Sequence, residues 1–240
     1  MDVLSGQAHL YRVDILFRDD SLVVVNKPSG LVVHKGWDHD EVNTMRLVRR
    51  ITRRRVSPVH RLDRGTSGCL VFAFDGQTAG RLQDHFREKT IEKRYLALTR
   101  GVLKQEEGVV DHPVPKKLKK KDDRVDAVTR YRRLGVALDR YSLVEAFPAT
   151  GRLHQIRRHM KHLSHPLIGD TRYGDGEENR KIRAGYGLLR LGLHAASIKF
   201  RHPHSGEPLD IVAPLPDDFR VPLERMGFDP AHWPRAQKES

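Results

Sequence analysis

The chain has 240 residues, of which 38% are hydrophobic and 31% charged, and 44 Lys and Arg stand against 31 Asp and Glu. This length fits one α/β or α+β domain, or two closely packed halves. The formal net charge of +13 and the sequence pI of about 10.1 indicate a polyanionic partner, because neutralised phosphates release their counterions. The alternative is a protein that is basic without binding nucleic acid.

Several protein classes are excluded by the composition. The single cysteine, Cys69, rules out an intramolecular disulfide and a cysteine-rich zinc site. No apolar run approaches the roughly 18 residues of a membrane span. Residues 1–12 contain neither the apolar core of a secretory signal nor the Arg- and Ser-rich, acid-poor pattern of a transit peptide. We therefore expect a cytoplasmic location.

The chain begins with predicted strands. Strands are expected over residues 13–17 and 21–25, separated by a polar turn. Pro28 and Gly30 then force a turn, and residues 31–33 resume an extended pattern.

A basic helix is predicted over residues 41–55, with Leu47 and Ile51 on its inner face. A polar loop at residues 60–68 precedes the apolar run 69–74, which predicts a strand buried on both faces. A helix should follow, with an inner face formed by Ala79, Leu82 and Phe86.

The second half mixes strands, a charged segment and one more helix. Strands are predicted over residues 93–98, 128–132, 141–146 and 193–200. Residues 105–126 include the lysine-rich block 116–121, which favours a solvated loop or a nucleic-acid contact. A helix is predicted over residues 151–165, with an apolar stripe of Leu153, Ile156, Met160 and Leu163. Because strands dominate and adjoin each other, the fold class is predicted to be α+β with a mixed, mostly antiparallel sheet and flanking helices.

Common catalytic motifs are missing from the sequence. There is no Gly-rich phosphate loop of the Walker or Rossmann type, and Ser67 lacks the spacer of a G-x-S-x-G elbow. His154 and His159 are five residues apart, without the Glu of an H-E-x-x-H zinc site. With one cysteine, the signature of a zinc deaminase cannot be written.

Asp63 is the candidate catalytic carboxylate. It lies between Arg61 and Arg64 in a loop that directly precedes the buried strand, and a rigid element positions such a group well. The alternative is an ordinary surface turn with weak ion pairs. Arg157 lies at the edge of the apolar helix stripe, so an inward orientation would require a nearby carboxylate. Asp63 is our candidate partner, although another acid is possible.

One carboxylate on a basic protein narrows the reaction. Hydrolysis of a glycosidic bond generally uses two carboxylates at a defined separation. A single carboxylate suffices for a rearrangement in which nothing is lost, such as detaching uracil, rotating it and rejoining it through carbon.

The run HRLDRGTSGCLVFA, residues 60–73, closely resembles the signature of the RluA family of pseudouridine synthases. Four further segments resemble family motifs in the expected order and extend the resemblance over nearly the whole chain: NKPSGLVVH (26–34), KRYLALTRG (93–101), TGRLHQIRRHMKHLSHPLIGDTRYGD (150–175) and LGLHAASIKFRHP (191–203).

The resemblance implies a role for individual residues. Asp63 matches the catalytic aspartate, Tyr95 the tyrosine that packs on the target base and removes the C5 proton, and Arg157 the arginine that pairs with the aspartate. Arg61 matches the arginine that fills the space left by the flipped uridine, and Leu193 an apolar residue near the base. His60, Arg64 and Lys27 belong to the matching motifs and are expected to bind RNA.

The resemblance also implies a mostly antiparallel sheet with a central RNA-binding cleft, and a reaction that needs no metal or organic cofactor. Gly65 and Leu153 depart from the family pattern, where proline and a small or polar residue are common, and this affects only the expected rigidity of the loop. Since the first motif begins close to the start of the chain, we expect one catalytic domain over residues 1–240, no N-terminal S4-type RNA-binding domain, and a monomer without an obligate protein partner.

Several segments, among them RRHMKHLSHPLIGD, YGDGEENR and SGLVVHKGW, are most similar to the branch of the family that modifies uridine 65 of tRNA. An enzyme that modifies rRNA, or both RNA classes, is the alternative. A non-catalytic RNA-binding protein should lack one of Asp63, Tyr95 and Arg157, and a base-excising glycosylase should release free uracil.

Overall fold

The computed structural model describes residues 11–34, 42–118 and 120–234. These residues form two compact units. The first comprises the described residues up to Ile91 together with Ala195–Pro214 and Pro234, and the second comprises Glu92–His194 and Leu215–Trp233. No helix within the described residues is long and apolar enough to span a membrane.

The first unit is built on antiparallel strands and two helices. Its elements are β1 (Asp14–Arg18), β2 (Leu22–Lys27), α1 (Thr44–Thr52), β3 (Ser57–Pro58), β4 (Ser67–Ala73), α2 (Gly76–Arg87), the part of β11 (Leu193–Arg201) that starts at Ala195, and β12 (Pro208–Val212). Strand β2 pairs with β1 and β4, β3 pairs with β4, and β12 pairs with β11, each in antiparallel orientation.

Strand β4 is the centre of this unit. Every residue of it is buried, as the continuous apolar run predicted. Helix α2 starts at the N-cap Asp75, whose side chain accepts from the Thr78 N–H, and packs Ala79 and Leu82 against the core cluster that includes Val71 of β4, with Phe86 partly buried beside it.

The second unit combines an antiparallel sheet, a hairpin and three helices. Its elements are β5 (Glu92–Arg100), β6 (Glu107–Asp111), β7 (Val114–Lys117), β8 (Lys120–Val125), β9 (Val128–Ala137), β10 (Tyr141–Pro148), α3 (Gln155–His162), α4 (Gly176–Tyr186) and α5 (Asp217–Arg225), with a 3-10 turn at Pro230–His232. Strand β10 pairs with β5 and β9, β9 pairs with β6, and β7 pairs with β8, all antiparallel. The predicted α+β class with mostly antiparallel strands is confirmed.

Two predicted helices are shorter than the sequence pattern suggested. Helix α1 covers Thr44–Thr52, and Glu41, at the predicted start, lies outside the described residues. Ile51, predicted to face inward, is 43% exposed. The buried face is formed instead by Thr44, Leu47, Val48 and Thr52, and Ile51 lies outside it. Helix α3 starts at Gln155, since His154 before it adopts a left-handed conformation with φ of 53°, and Leu163 is its C-cap.

The charged segment differs most from the prediction. Residues 105–126 contain strands β6, β7 and β8, so the solvated loop considered for the lysine-rich block 116–121 is wrong. A nucleic-acid contact by that block stays a prediction. At the open end of the hairpin β7–β8, Val114 is buried and pairs with Val125. Lys119 lies outside the described residues. Helices α4 and α5 and strand β12 were not predicted. The extended segment predicted at residues 31–33 forms no strand.

Candidate active site

Asp63 lies in the first unit, in the loop between β3 and β4. The Asp63 carbonyl accepts from the Thr66 N–H at 3.0 Å, which closes a tight turn. Its neighbours Arg61 and Arg64 are exposed, whereas Leu62 is buried and Asp63 itself is partly buried. The loop therefore carries one carboxylate and two exposed arginines, and its Leu62 side chain is buried beneath them.

A second loop, residues 28–31, holds the Asp63 loop through backbone contacts. The Gly30 N–H donates to the Arg64 carbonyl at 2.8 Å, and the Ser29 hydroxyl donates to the Gly65 carbonyl at 2.8 Å. The positive φ of Gly30, 88°, permits the turn that brings these groups into position. The NKPSG segment thus supports the loop that carries Asp63.

Lys27 is a completely buried amine, with 0% of the residue exposed. Its Nζ donates to the carbonyls of Pro28 at 2.8 Å, Leu31 at 2.7 Å and Arg64 at 3.3 Å. Three carbonyls use the three donors of an ammonium group. The RNA contact expected from the sequence does not fit this burial, and Lys27 instead ties the 28–31 loop to the Asp63 loop.

His60 also has a supporting position. Its Nε2 accepts from the Val71 N–H at 3.1 Å, and its ring lies 4.9 Å from that of Phe86. Further along, Gly68 has a φ of 112°, and a Cβ there would approach the Ala195 carbonyl oxygen to 2.2 Å. Only glycine allows the end of this loop to pass so close to β11.

Arg157 lies in the second unit, on α3, and is 9% exposed. Its Nε donates to Oδ2 of Asp170 and its Nη2 to Oδ1 of Asp170, both at 2.8 Å. The helix argument predicted an acid beside this arginine, and within the unit that acid is Asp170. The pairing of Arg157 with Asp63 stays a prediction.

Asp170 is held by several donors as well as by the arginine. Burial alone would raise its pKa, but the hydrogen bonds from Arg157 and from the N–H groups of Tyr173 and Arg172 lower the pKa below its usual range. The preceding Gly169 has φ of 76° and its hypothetical Cβ would lie 1.9 Å from the Arg190 carbonyl oxygen. The carboxylate is therefore ionised, and its pair with Arg157 is fixed in orientation.

Tyr173 completes the surroundings of this pair. The guanidinium of Arg157 lies 5.1 Å from the centre of its ring, and its hydroxyl contacts Nε of Arg158 at 3.0 Å and Nδ1 of His154 at 3.1 Å. Sequence reasoning assigned no role to Asp170 or Tyr173. Both occur in the motif segment after the helix, where an aspartate following a Pro and Gly stop was a usable signal.

Tyr95 and Leu193 meet in one apolar cluster of the second unit. Leu193 is buried in the cluster that includes Ile156 and Met160 of α3, and Tyr95 packs against it, partly buried. Tyr95 is opposite Ala146 in the pairing of β5 with β10. An aromatic ring on an apolar floor is suited to packing against a flat base.

Lys93 precedes Tyr95 by two residues, so it lies on the same face of β5. Its Nζ donates to the Thr150 carbonyl at 3.2 Å, and burial lowers its pKa to about 8. Thr150 donates to Gln155 Oε1 at 2.6 Å, and the Gln155 amide donates to the Val128 carbonyl at 2.9 Å. This polar chain, also not predicted, links the strand of Tyr95 to the start of the helix of Arg157.

Comparison with known proteins gives a consistent result. A family model described as RNA pseudouridylate synthase matches residues 21–162. Proteins named tRNA pseudouridine synthase C from Haemophilus ducreyi and Vibrio cholerae are each 40% identical over 236 residues, covering 90% of this chain and 96% of theirs.

Solved structures agree at the level of the fold. The human RNA pseudouridylate synthase domain containing 4 superposes with a TM-score of 0.74 and 29% identity, covering 89% of this chain and 92% of its own. The human domain containing 1 gives a TM-score of 0.72 and 25% identity, covering 95% of this chain and 91% of its own.

Proposed function

The chain belongs to the RNA pseudouridylate synthase family, and from this premise we propose that it converts a uridine of tRNA, at position 65, into pseudouridine. The observation that carries the choice of RNA is the 40% identity, over 90% of the chain, to proteins named tRNA pseudouridine synthase C. The position rests on the resemblance of residues 29–37 and 157–180 to the branch that modifies uridine 65.

Asp63 is proposed as the catalytic carboxylate. The target C5 and C1′ lie inside stacked RNA, so the nucleotide must leave the stack at a cost of a few kcal/mol. Arg61 is exposed next to Asp63, where its side chain can occupy the vacated space and offset part of that cost. The carboxylate then assists cleavage of the C1′–N1 bond, the uracil rotates, and a C1′–C5 bond replaces the broken one.

Tyr95 is proposed to pack on the uracil and to take the proton from C5 after the C1′–C5 bond has formed, while N1, released from C1′, takes up a proton. Its packing against the cluster of Leu193 supports this role, because an apolar floor holds the ring and excludes water. Arg157 is proposed to orient the Asp63 carboxylate. Its bidentate pair with Asp170 fixes the plane of the guanidinium, so the arginine is preorganised rather than mobile.

His60 and Arg64 are proposed to contact the RNA backbone beside the flipped nucleotide, Arg64 through its exposed guanidinium. We further propose one catalytic domain over residues 1–240 that acts as a cytoplasmic monomer, with no metal or organic cofactor. Sedimentation of the purified protein with and without tRNA tests the monomer. A dimer that persists in both conditions would contradict it.

The test is release of tritium from C5-labelled uridine in a full tRNA transcript, with neither a metal ion nor an organic cofactor added. We expect stoichiometric release by the native protein, none from a transcript with cytidine at position 65, and none by Asp63→Asn. Asp139→Asn is the matched control, because Asp139 is exposed in the β9–β10 turn with a φ of 46°, a conformation that asparagine also adopts readily.

Each alternative has its own outcome. Release from 23S rRNA fragments but not from tRNA would overturn the choice of RNA while the isomerase chemistry stands. Free uracil in the supernatant would indicate a glycosylase. RNA binding without release from either RNA would overturn the catalytic proposal.

A further inference from the structure

Helix α1 of the first unit carries an arginine surface whose role is not explained by the candidate active site. Its exposed side follows spacings of three, four and seven residues, which lie on one face of a helix. The exposed arginines are Arg46, Arg49, Arg50 and Arg53, continued by Arg54 and Arg55. From Val42 to Pro58 the sequence contains no Asp or Glu.

The opposite face fixes the helix in place. Leu47, Val48 and Thr52 are buried, and the Asn43 side chain caps the N-terminus by accepting from the Arg46 N–H at 3.0 Å. The surface is therefore presented by a packed element and not by a loose segment.

Two of the arginines strengthen the end of the helix. Arg54 donates to the Asp20 carbonyl at 2.9 Å and its guanidinium lies 4.0 Å from the centre of the Phe74 ring. Arg49 donates to the Val56 carbonyl at 3.3 Å. Both contacts use neutral partners, so the positive charges are oriented without being neutralised.

Arg50, Arg53 and Arg55 keep their charge available. Among the ion pairs of the described residues, none involves Arg50, Arg53 or Arg55. Like charges three and four residues apart on a helix repel each other by a few tenths of a kcal/mol per pair. The stripe therefore opposes the stability of its own helix.

Helix α4 of the second unit shows the arrangement that favours stability. It has Glu177 and Glu178 in its first turn and Arg183 in its last, in accord with the helix dipole, and Lys181 pairs with Glu177 at 2.7 Å. Helix α1 has no acid in its first turn. Arg49 and Arg50 in its last turn agree with the dipole, whereas Arg46 lies in the first turn, where a positive charge is unfavourable. The dipole therefore explains only part of the charge pattern of α1.

The position of α1 is tied to the Asp63 loop. The Thr44 N–H and the Met45 N–H donate to the carbonyls of Val32 and Val33, each at 2.9 Å. These residues continue the 28–31 loop, which in turn holds the Asp63 loop. An RNA backbone bound on α1 would therefore lie in a fixed position relative to Asp63.

We propose that the exposed arginines of α1 form a phosphate-binding surface for the RNA substrate, separate from the contacts at the target uridine. This proposal rests on the proposed function for the identity of the RNA. Phosphate contacts position a substrate without reading its bases, so the surface sets the affinity and the placement of the RNA, and the Asp63 site sets the chemistry.

The test compares two triple variants that each remove three positive charges. One is Arg50→Gln, Arg53→Gln and Arg55→Gln. The control is Lys104→Gln, Arg180→Gln and Arg183→Gln, all exposed in the second unit. Fluorescence anisotropy gives the Kd for a labelled tRNA transcript over a series of KCl concentrations, and melting curves check that both variants are folded.

We expect the α1 triple to weaken binding by tenfold or more at moderate salt. The slope of log Kd against log [KCl] should fall by about two, as expected for the loss of two or three phosphate contacts. KM should rise by a similar factor, since such contacts stabilise the substrate complex and the transition state equally. The control should change Kd by less than about threefold, which fits the loss of long-range attraction alone.

Equal Kd values and equal slopes for the two triples would overturn the proposal. If the glutamine variant does not fold, the triple Arg→Lys variant at the same positions is measured instead, and the proposal requires it to keep the native salt slope. The binding readout needs no turnover. Failure of this surface is thus distinguishable from failure of the isomerase, which would leave binding intact and abolish tritium release.

Discussion

The Asp63 loop of the first unit and the Arg157 helix of the second are held in place by different forces. Around Asp63 the supporting contacts go to backbone carbonyls of residues 28–31 and 63–65, from Lys27, Ser29 and main-chain N–H groups. Around Arg157 the support is a buried ion pair with Asp170.

The difference separates a residue proposed for the reaction, Asp63, from a residue on which the stability of the fold depends, Arg157. The supporting backbone bonds of the Asp63 loop come from Lys27, Ser29 and main-chain N–H groups, so replacement of the Asp63 side chain leaves those bonds in place. Arg157 cannot be changed without leaving a buried carboxylate unpaired, which is strongly destabilising. The predictions below test this contrast, from the largest expected effect to the smallest.

Replacement of Arg157 should have the largest effect on stability. Arg157→Met should lower the free energy of unfolding by about 3–5 kcal/mol, since Asp170 remains buried without its partner, whereas Asp63→Asn should change it by less than about 1 kcal/mol. Urea denaturation followed by circular dichroism measures both. Similar losses for the two variants would remove the contrast.

Replacement of Lys27 should affect the loop through its carbonyls. Lys27→Met leaves the carbonyls of Pro28, Leu31 and Arg64 without their common donor, and we expect a loss of about 1–3 kcal/mol together with reduced tritium release. Lys104→Met, at an exposed lysine, is the control and should be neutral in both assays. An RNA-binding role for Lys27 would instead raise Kd with stability unchanged.

The Arg157–Asp170 pair should give the smallest effect, visible as a pH dependence. The pKa of Asp170 is lowered in the folded protein, so its ionisation contributes stability above the ordinary pKa of about 3.9, and that contribution is lost as the pH falls through the lowered value. The double variant Arg157→Met and Asp170→Met lacks this contribution. The difference in unfolding free energy between native and double variant should therefore shrink below about pH 4, and a constant difference would contradict the lowered pKa.

Local pattern was sufficient where neighbouring residues determine the structure. The apolar run of β4 had to be buried on both faces, and Ala79, Leu82 and Phe86 could share only one face of a helix. Arg157 illustrates the limit, because its position on the stripe implied a buried acid without identifying which one. Ile51 illustrates an error, since on a short helix two spacings compete and packing selects between them.

The sequence by itself determined the α+β class, the net charge of +13 that favours a polyanionic partner, and the motifs that resemble those of pseudouridine synthases. Tertiary structure decided that Lys27 is interior, that Asp170 meets Arg157, and that the lysine-rich segment forms a hairpin. The physical reason is range: periodicity and charge are local properties of the chain. The partners of Lys27 extend to 37 residues away and Asp170 lies 13 residues from Arg157, so only the folded chain brings them together.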